Sequence, residues 1–384
     1  MRKVGVIGIG QTVISEHWDK SFKELAGDAI LDAMLDAKIS ACEGIFVGNM
    51  MSASANQQQN IGAYIADWVG ARGAEAFRVE SACSSGSAGF RSAVFAVASE
   101  EIDIAVAVGV EKMTDSPMAE ITASLATAAD NDWEASHGVS FIALNALIMQ
   151  RYLHEYQWSH SDFANFSINA HKNAINNPNA RFHMRITPEQ FIKSPVICDP
   201  ITLLDASSIG DGAAAAIIVP IDFDQHQLQI VEVAASAAAT DTITVHGRKD
   251  PLWLAAAEKS AKSAYAQAGG ITPQDIDLFE YHDAFSIMAA LSLEANGFCD
   301  RGQAPKLALE DDISLSGKIP VASFGGLKAR GHPVGATGMY QIVECVQQLR
   351  GQAGENQVSD IHYAMAQNIG GSGSNIITHI FNNN

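Results

Sequence analysis

At 384 residues, with 43 acidic against 24 basic side chains and a formal charge of -19, the chain is long enough for two or three substructures around a large core. An isoelectric point near 4.9 excludes a general nucleic-acid binder and a polybasic membrane contact. Every long apolar run is interrupted by polar residues, and five scattered cysteines without a Cys-x-x-Cys pair argue against a membrane span, a disulfide framework or a structural metal site, so a cytoplasmic protein is expected.

In chain order, Val4 to Ile9 reads as a buried strand. Gly10-Gln11-Thr12 after it resembles a dinucleotide loop only in part, because the third glycine is missing. Apolar residues at helical spacing (Leu25, Ala29, Leu31, Met34, Leu35) predict an amphipathic helix from Phe22 to Ile39. Gly44 to Asn49 is the next strand, Asn56 to Val69 a helix, Phe77 to Glu80 a strand and Gly86 to Ala98 a helix of small residues. Ile102 to Val110 is a continuous apolar run, as in a strand buried on both faces. The strand-helix alternation predicts an α/β fold with a largely parallel sheet.

From about Asp115 to Asp205 the strand signal stops, and polar aromatics and histidines suggest an inserted helical loop domain. Arg151, Lys172, Arg181, Arg185 and Lys193 outnumber Glu155, Asp162 and Glu189 there. Such a basic patch suits the phosphates of a nucleotide-bearing substrate, and it equally suits a solvated face or a subunit contact. Gly210 to Pro220 returns to the sheet. A strand from Leu228 to Ala234, a helix from Leu252 to Ala268, a strand from Asp277 to Tyr281, a helix from Phe285 to Asn296 and strands at Ile361 to Ala366 and Ile376 to Phe381 complete the chain. Gly44 to Asn49 answers Asp277 to His282, and Ile102 to Glu111 answers Ile361 to Gly371, so two similar halves related by a pseudo-twofold are expected. That duplication brings two helix starts together at one cleft.

Two stretches carry chemistry. Val79 to Gly89 puts Cys83 between a strand and a small-residue helix, where the helix dipole and free N–H groups favour a thiolate. Val321 to Gly338 repeats the strand, turn and helix start with His332, and a histidine can take the thiol proton and return it. The blander reading of Cys83 is a packed core cysteine, and that of His282, at the end of a later strand, is a histidine capping the next helix.

The motifs Glu80-Ser81-Ala82-Cys83-Ser84-Ser85-Gly86, Gly109 to Asp115 and Gly331-His332-Pro333-Val334-Gly335-Ala336-Thr337-Gly338 closely resemble those of the thiolases, and the resemblance runs the length of the chain. It implies the thiolase fold, two duplicated α/β halves in a five-layered αβαβα core. The implied boundaries are residues 1–114 with 206–222 for the first half, 115–205 for the inserted loop domain and 223–384 for the second half. His282-Asp283-Ala284-Phe285 is similar to the sterol-carrier-protein and archaeal types. By resemblance Cys83 is the nucleophile, His332 its activator and His282 a third catalytic group. The oxyanion hole would draw on Cys83, His282, His332 and the Gly370-Gly371 turn, with Gly370 taken as its donor.

Two departures accompany the resemblance. Thiolases carry a second catalytic cysteine where this chain has Asn368, and the relieving cysteine of the sterol-carrier type is Ala284 here. Asn368, Ala284, Phe324 (a large residue where a small one is usual) and His137 are the expected pocket residues, against a solvent-facing role for His137. Cys299 and Cys345 are the distant candidates for replacing the missing thiol. The implied activity is acyl transfer from an acyl-CoA thioester, through a Cys83 acyl-enzyme, to a carbon nucleophile or to CoA, with no permanently bound cofactor. The alternatives are a C-acyltransferase with a decarboxylative or aromatic acceptor, and a scaffold subunit working with a small OB-fold protein. A homodimer or tetramer built through the strand and helix beside Cys83 is also implied.

Overall fold

The computed structural model describes residues 2–223 and 229–383. The first half runs β1 (Val4–Gln11), α1 (Phe22–Asp36), β2 (Gly44–Gly48), α2 (Ser52–Ala55), α3 (Ile61–Trp68), β3 (Glu75–Val79), α4 (Ser85–Ala98) and β4 (Ala105–Glu111). A helical segment follows, with α5 (Met118–Ala126), α6 (Phe141–Tyr156), α7 (Ala164–Ala174), α8 (Pro188–Ile192) and a small hairpin of β5 (Val196–Cys198) and β6 (Ile201–Thr202). β7 (Gly212–Pro220) rejoins the sheet. The second half comprises β8 (Val231–Thr240), α9 (Ala255–Gln267), β9 (Leu278–Glu280), α10 (Ser286–Ala295), α11 (Ala304–Leu309), α12 (Thr337–Leu349), β10 (Tyr363–Gly370) and β11 (Asn375–Asn382). The strand expected from Leu228 is therefore found at β8; Leu228 itself lies outside the described residues.

The strands form one nine-stranded sheet in the order β3-β2-β4-β7-β1-β8-β11-β10-β9. Read outward from the β1–β8 junction, the two sides have the same plan. The two junction strands pair antiparallel, Gly5 with Glu232 and Val6 with Val231, as a twofold between the halves requires. The expectation of a largely parallel sheet is corrected here. β2 pairs parallel with β3 and β4, and β9 with β10, but β7 enters antiparallel between β4 and β1, and β11 between β10 and β8. The helical crossovers do make their strands parallel. β11 follows β10 through a short turn and so runs the other way, and β7, returning from the helical segment, enters antiparallel too.

Apolar packing fills the interfaces of five layers of elements, with the β3-to-β1 side of the strand set as the first sheet and the β8-to-β9 side as the second. α1 and α3 cover one face of the first sheet, with Leu25, Ile30 and Ile65 against Ile45, Val106 and Val108. α4 and α12 lie between the sheets, with Phe90, Val94, Met339 and Ile342 touching Ala107 and Ala216 on one side and Ala364 and Phe381 on the other. α9 and α10 cover the outer face of the second sheet together with α6 and α7. Helices this enclosed cannot show a polar stripe, and α10 is buried at all ten positions.

Helix α1 forms as its spacing predicts, closed at Ser21 by a capping box with Glu24, yet its buried face differs from the predicted one. Leu31 and Leu35 are exposed, and Phe22, Leu25, Ala26, Ala29, Ile30 and Ala33 are buried. Gly8 and Gly10 decide this, because a Cβ on either would come within 3.0 Å of the α1 backbone. The helix docks through its alanine side to approach those glycines. The partial dinucleotide signature is thus a helix-docking surface.

Candidate functional site

Cys83 follows β3 on a turn held by its own serines. Ser84 Oγ donates to the Ser81 carbonyl and Ser85 Oγ to the Ala82 carbonyl, each at 2.6 Å, and the Ser81 N–H donates to Ser85 Oγ at 2.9 Å. Ala82 sits at φ 49°, a left-handed conformation costing about 1–2 kcal/mol for a residue with a Cβ. The turn aims Cys83 out of the strand just before the cap of α4. The predicted thiolate is corrected by the environment. Burial and the nearby Glu111 carboxylate push the thiol up to about 12, against the N–H groups of Gly371 and of Cys83 itself, which pull the other way. The free thiol therefore needs a base.

His332 stands in the matching place of the second half. Its N–H donates to the Ser208 carbonyl at 2.7 Å, and Nδ1 lies 2.6 Å from Thr337 Oγ1 at the first residue of α12. Burial and the Arg330 guanidinium lower its pKa to about 3, so the ring is neutral near pH 7 and able to accept a proton. His282 follows β9, with Nδ1 2.8 Å from Asn368 Nδ2. Burial, His332 and Arg330 hold it well below the usual histidine range. The two rings meet edge to face with centroids 5.2 Å apart.

A π-helical turn, Gly326–Arg330, braces both histidines. The Leu327 N–H donates to Asp283 Oδ1 at 2.7 Å. Lys328, fully enclosed, donates to the Asp205 carbonyl and to Ser286 Oγ, and Arg330 pairs with Glu344. Glu111 joins the halves. It accepts from the N–H groups of Met50, Met51 and Gly335 at 2.9 to 3.1 Å and from Asn49 Nδ2 at 2.8 Å, so the loop after β2 is tied to the start of α12. The starts of α4 and α12 almost touch, since a Cβ on Gly86 would lie 2.8 Å from the Gly335 carbonyl oxygen. One buried cleft thus receives both reactive segments.

The cleft is a cavity of about 510 Å³ lined by Cys83, His282, Ala284, His332 and Gly371 at its polar end. Its walls are mostly apolar: Met118 and Leu125 of α5, Phe141 and Ile142 of α6, Ile209, Phe285 and Met288. Arg181, paired with Glu16 at 2.8 Å, and Phe182 also line it.

Of the expected site residues, Cys83, His282, His332 and Ala284 meet at the cavity. Four others do not line it. Asn368 is fully buried behind His282. Gly370 lies within β10, and the next residue, Gly371, brings its N–H to the thiol. Phe324 is packed away, its carbonyl accepting from Asn177 Nδ2 at 2.9 Å, because the positive φ of Gly325 and Gly326 turns the chain behind the site. His137 is exposed on a short 3-10 turn. Among the described residues Cys83 is the one cysteine lining the cavity; Cys345 is in the core between the sheets, and Cys299 packs beneath the second sheet. From the basic patch the cavity takes only Arg181. Sequence reading missed Met118, Phe141, Met288 and the bridging role of Glu111. The Gly109 to Asp115 run was the available signal for Glu111, and apolar lining residues on separate helices leave none.

The family model described as "Thiolase, N-terminal domain" matches residues 4–222, and "Thiolase C-terminal domain-like" matches residues 237–383. The chain is 44% identical to a protein of Methanothermobacter thermautotrophicus named acetyl-CoA acetyltransferase, over 99% of this chain and all of that one. It is 30% identical to the benzoylsuccinyl-CoA thiolase subunit BbsB of Thauera aromatica, over 97% of this chain and 95% of the relative. A solved structure described as "Ltp2-ChsH2(DUF35) aldolase" superimposes with a TM-score of 0.87 at 24% identity, covering 99% of this chain and 98% of that one, a likeness of fold.

Proposed function

The chain belongs to the thiolase family, and from that premise we propose that it is an acyltransferase that moves an acyl group from an acyl-CoA to a carbon nucleophile, or to CoA in the reverse direction, through a thioester on Cys83. The observation that carries this reading is that Cys83, His332, His282 and Gly371, whose N–H reaches the thiol, line one cavity. With its thiol held at a high pKa, Cys83 cannot act alone. His332, neutral and buried, takes the thiol proton as sulfur attacks the thioester carbonyl, then returns it to the departing CoA thiolate. The N–H groups of Cys83 and Gly371, which reach the Cys83 thiol, are the donors available to a carbonyl oxygen that gathers charge beside it.

The test is incubation with acetyl-CoA, acid quench and peptide mass spectrometry. An acyl group on the Cys83 peptide, absent in Cys83→Ala, is expected. No adduct with acetyl-CoA or any longer acyl-CoA would sink this reading.

A second reading concerns the acceptor. A cavity of about 510 Å³ with mostly apolar walls is far larger than an acetyl group needs, and among the described residues no second cysteine lines it. Both features support a bulkier acyl or aryl group, and the relative named for benzoylsuccinyl-CoA supports the same direction. A panel of straight, branched and aromatic thioesters separates this from acetyl transfer. A partner protein is supported by the solved aldolase, which pairs Ltp2 with ChsH2(DUF35), and by the word subunit in the Thauera name; a small OB-fold protein is the partner we propose. A homodimer is supported by β3, which lies at the edge of the sheet with Phe77 54% exposed, an unpaired edge that a second copy would cover. We keep the cytoplasm as its setting, on the scattered free cysteines.

A further inference from the structure

The turn between β10 and β11 carries the Gly371 N–H that reaches the Cys83 thiol, and it has little stiffness of its own. Gly371 and Gly373 stand at φ 61° and 107°, regions that glycine enters and leaves at small cost. The groups that grip the turn therefore fix its direction. The Gly370 carbonyl accepts from the Gly373 N–H at 3.3 Å and from the N–H and Oγ of Ser374 at 3.2 Å each. The Gly370–Gly371 peptide is trans and planar, so its N–H points the opposite way from that held oxygen, toward the sulfur. One residue further on, the Ser372 carbonyl accepts from Arg248 Nη2. Arg248 lies in the loop after β8 and is only 6% exposed. Its Nε and Nη1 are buried without a partner, so the Ser372 carbonyl is the one acceptor its side chain has among the described residues. The Glu134 and Asp241 carboxylates offset its charge. A guanidinium taken out of water for one carbonyl holds it by a charge-assisted bond, stronger than a neutral one. The same loop sends the Asp241 N–H to the Ser374 carbonyl at 2.9 Å. It is tied in turn to the helical segment, where Glu134 Oε1 accepts from the Val245 N–H at 2.9 Å.

We propose that Arg248 and Ser374 are positioning residues that aim the Gly371 N–H at the Cys83 sulfur and at the acyl oxygen that gains charge beside it. The part concerning the acyl oxygen rests on the acyl-transfer reading above. Neither side chain lines the cavity, so both act through the turn without touching substrate. During acylation sulfur bonds to the thioester carbon while His332 takes the thiol proton. The carbonyl oxygen carries the charge until the bond to CoA sulfur breaks, and the proton then passes to the CoA thiolate. A donor already pointing at that oxygen lowers the barrier, because no backbone has to swing into place as charge develops. In the free enzyme the same N–H works against the burial and the Glu111 charge that disfavour the thiolate. The prop thus runs from the helical segment, whose α5 walls the cavity, through Glu134, the loop after β8 and Arg248 to the donor itself.

The experiment compares the full chain with Arg248→Met and Ser374→Ala in two reactions at Cys83. The first is alkylation by iodoacetamide at about pH 9, followed on the Cys83 peptide by mass spectrometry. With the N–H no longer aimed at sulfur less thiolate forms, so both variants should react about 3- to 10-fold more slowly. A turn that had merely loosened would uncover the thiol and speed alkylation. An unchanged or faster rate in folded Arg248→Met therefore overturns the proposal. The second reaction is single-turnover acylation by acetyl-CoA, quenched in acid. Arg248→Met should lower its rate constant about 10- to 100-fold and Ser374→Ala about 3- to 10-fold, with the half-saturating acetyl-CoA concentration within about twofold of wild type. A rate constant within about twofold of wild type for Arg248→Met, or a loss confined to half-saturation, overturns it as well. If Arg248→Met does not fold, Ser374→Ala, a smaller change at a half-buried residue, decides both reactions by the same criteria. Alkylation needs no acyl transfer, so failure of the wild-type chain to take an acyl group would sink the acyl-transfer reading and leave the first reaction to judge the turn.

Discussion

The two halves share one plan and differ at their outer edges. In the first half β3 is a full five-residue edge strand, and its residues are exposed or half-exposed. In the second half the matching place is one bridge between Phe279 and Val321, covered by α7, whose Asn169 and Asn173 donate to the Val321 and Ala322 carbonyls. Cys83 follows the open edge, and His332 follows the covered one. A duplicated scaffold can therefore place a mostly buried thiol opposite a more fully buried histidine, because the helical segment covers only one copy. The enclosure keeps the histidines neutral near pH 7, which leaves each a ring lone pair to offer.

Breaking the chemical asymmetry should have the largest effect. Cys83→Ala is expected to abolish acyl transfer, by at least about 10⁴-fold, with the denaturation midpoint almost unmoved because a small, partly exposed side chain is trimmed. A kinetic loss much below that would mean another nucleophile. His332→Gln should cost about 10²- to 10⁴-fold in the rate of Cys83 acylation, read by rapid quench. An unchanged acylation rate would remove His332 from the first half-reaction.

The shared plan can be tested by stability. Gly86 in α4 and Gly338 in α12 mark the close approach of the central helices, and a Cβ on Gly338 would crowd Ser87 and Asn368. Gly338→Ala and Gly86→Ala should each destabilise by about 1–3 kcal/mol in chemical denaturation. If only one does, the helix contact is less symmetric than the topology. At the open edge, Phe77→Lys should shift a dimer toward monomer in sedimentation measurements, through charge placed on an unpaired strand; an unshifted dimer would place the interface elsewhere. The smallest effect concerns pH. With the thiol raised to about 12, the thiolate fraction grows about tenfold per pH unit below that value. Alkylation of Cys83 in the free enzyme should thus keep rising from about pH 7 to pH 10, and a plateau below about pH 8 would show a thiolate already formed.

Much of the fold was legible because it is written in local patterns. The apolar run from Ile102 to Val110 became β4, and the small-residue stretch after Cys83 became α4, each within a few residues of expectation. Cys83, His282 and His332 were legible because each follows a strand end in a recognisable motif. His137 and Phe324 were misplaced for a different reason. Composition suggested a role for each, but whether a loop residue faces a cavity depends on turns such as Gly325-Gly326, whose direction no periodicity records. The exposed Leu31 and Leu35 teach the same lesson, since glycines in β1 chose which face of α1 could approach.

By itself the sequence determined the α/β alternation, the duplication and the strand-end motifs that carry Cys83, His282 and His332, because strand, helix and turn preferences act over a few residues. Only the tertiary structure decided the antiparallel entry of β7 and β11, the raised pKa of the thiol, the partner of each Nδ1 and the place of Asn368 behind His282. Those depend on burial and on contacts between residues as far apart as Asn368 and His282, which exist only after the two halves have closed on α4 and α12.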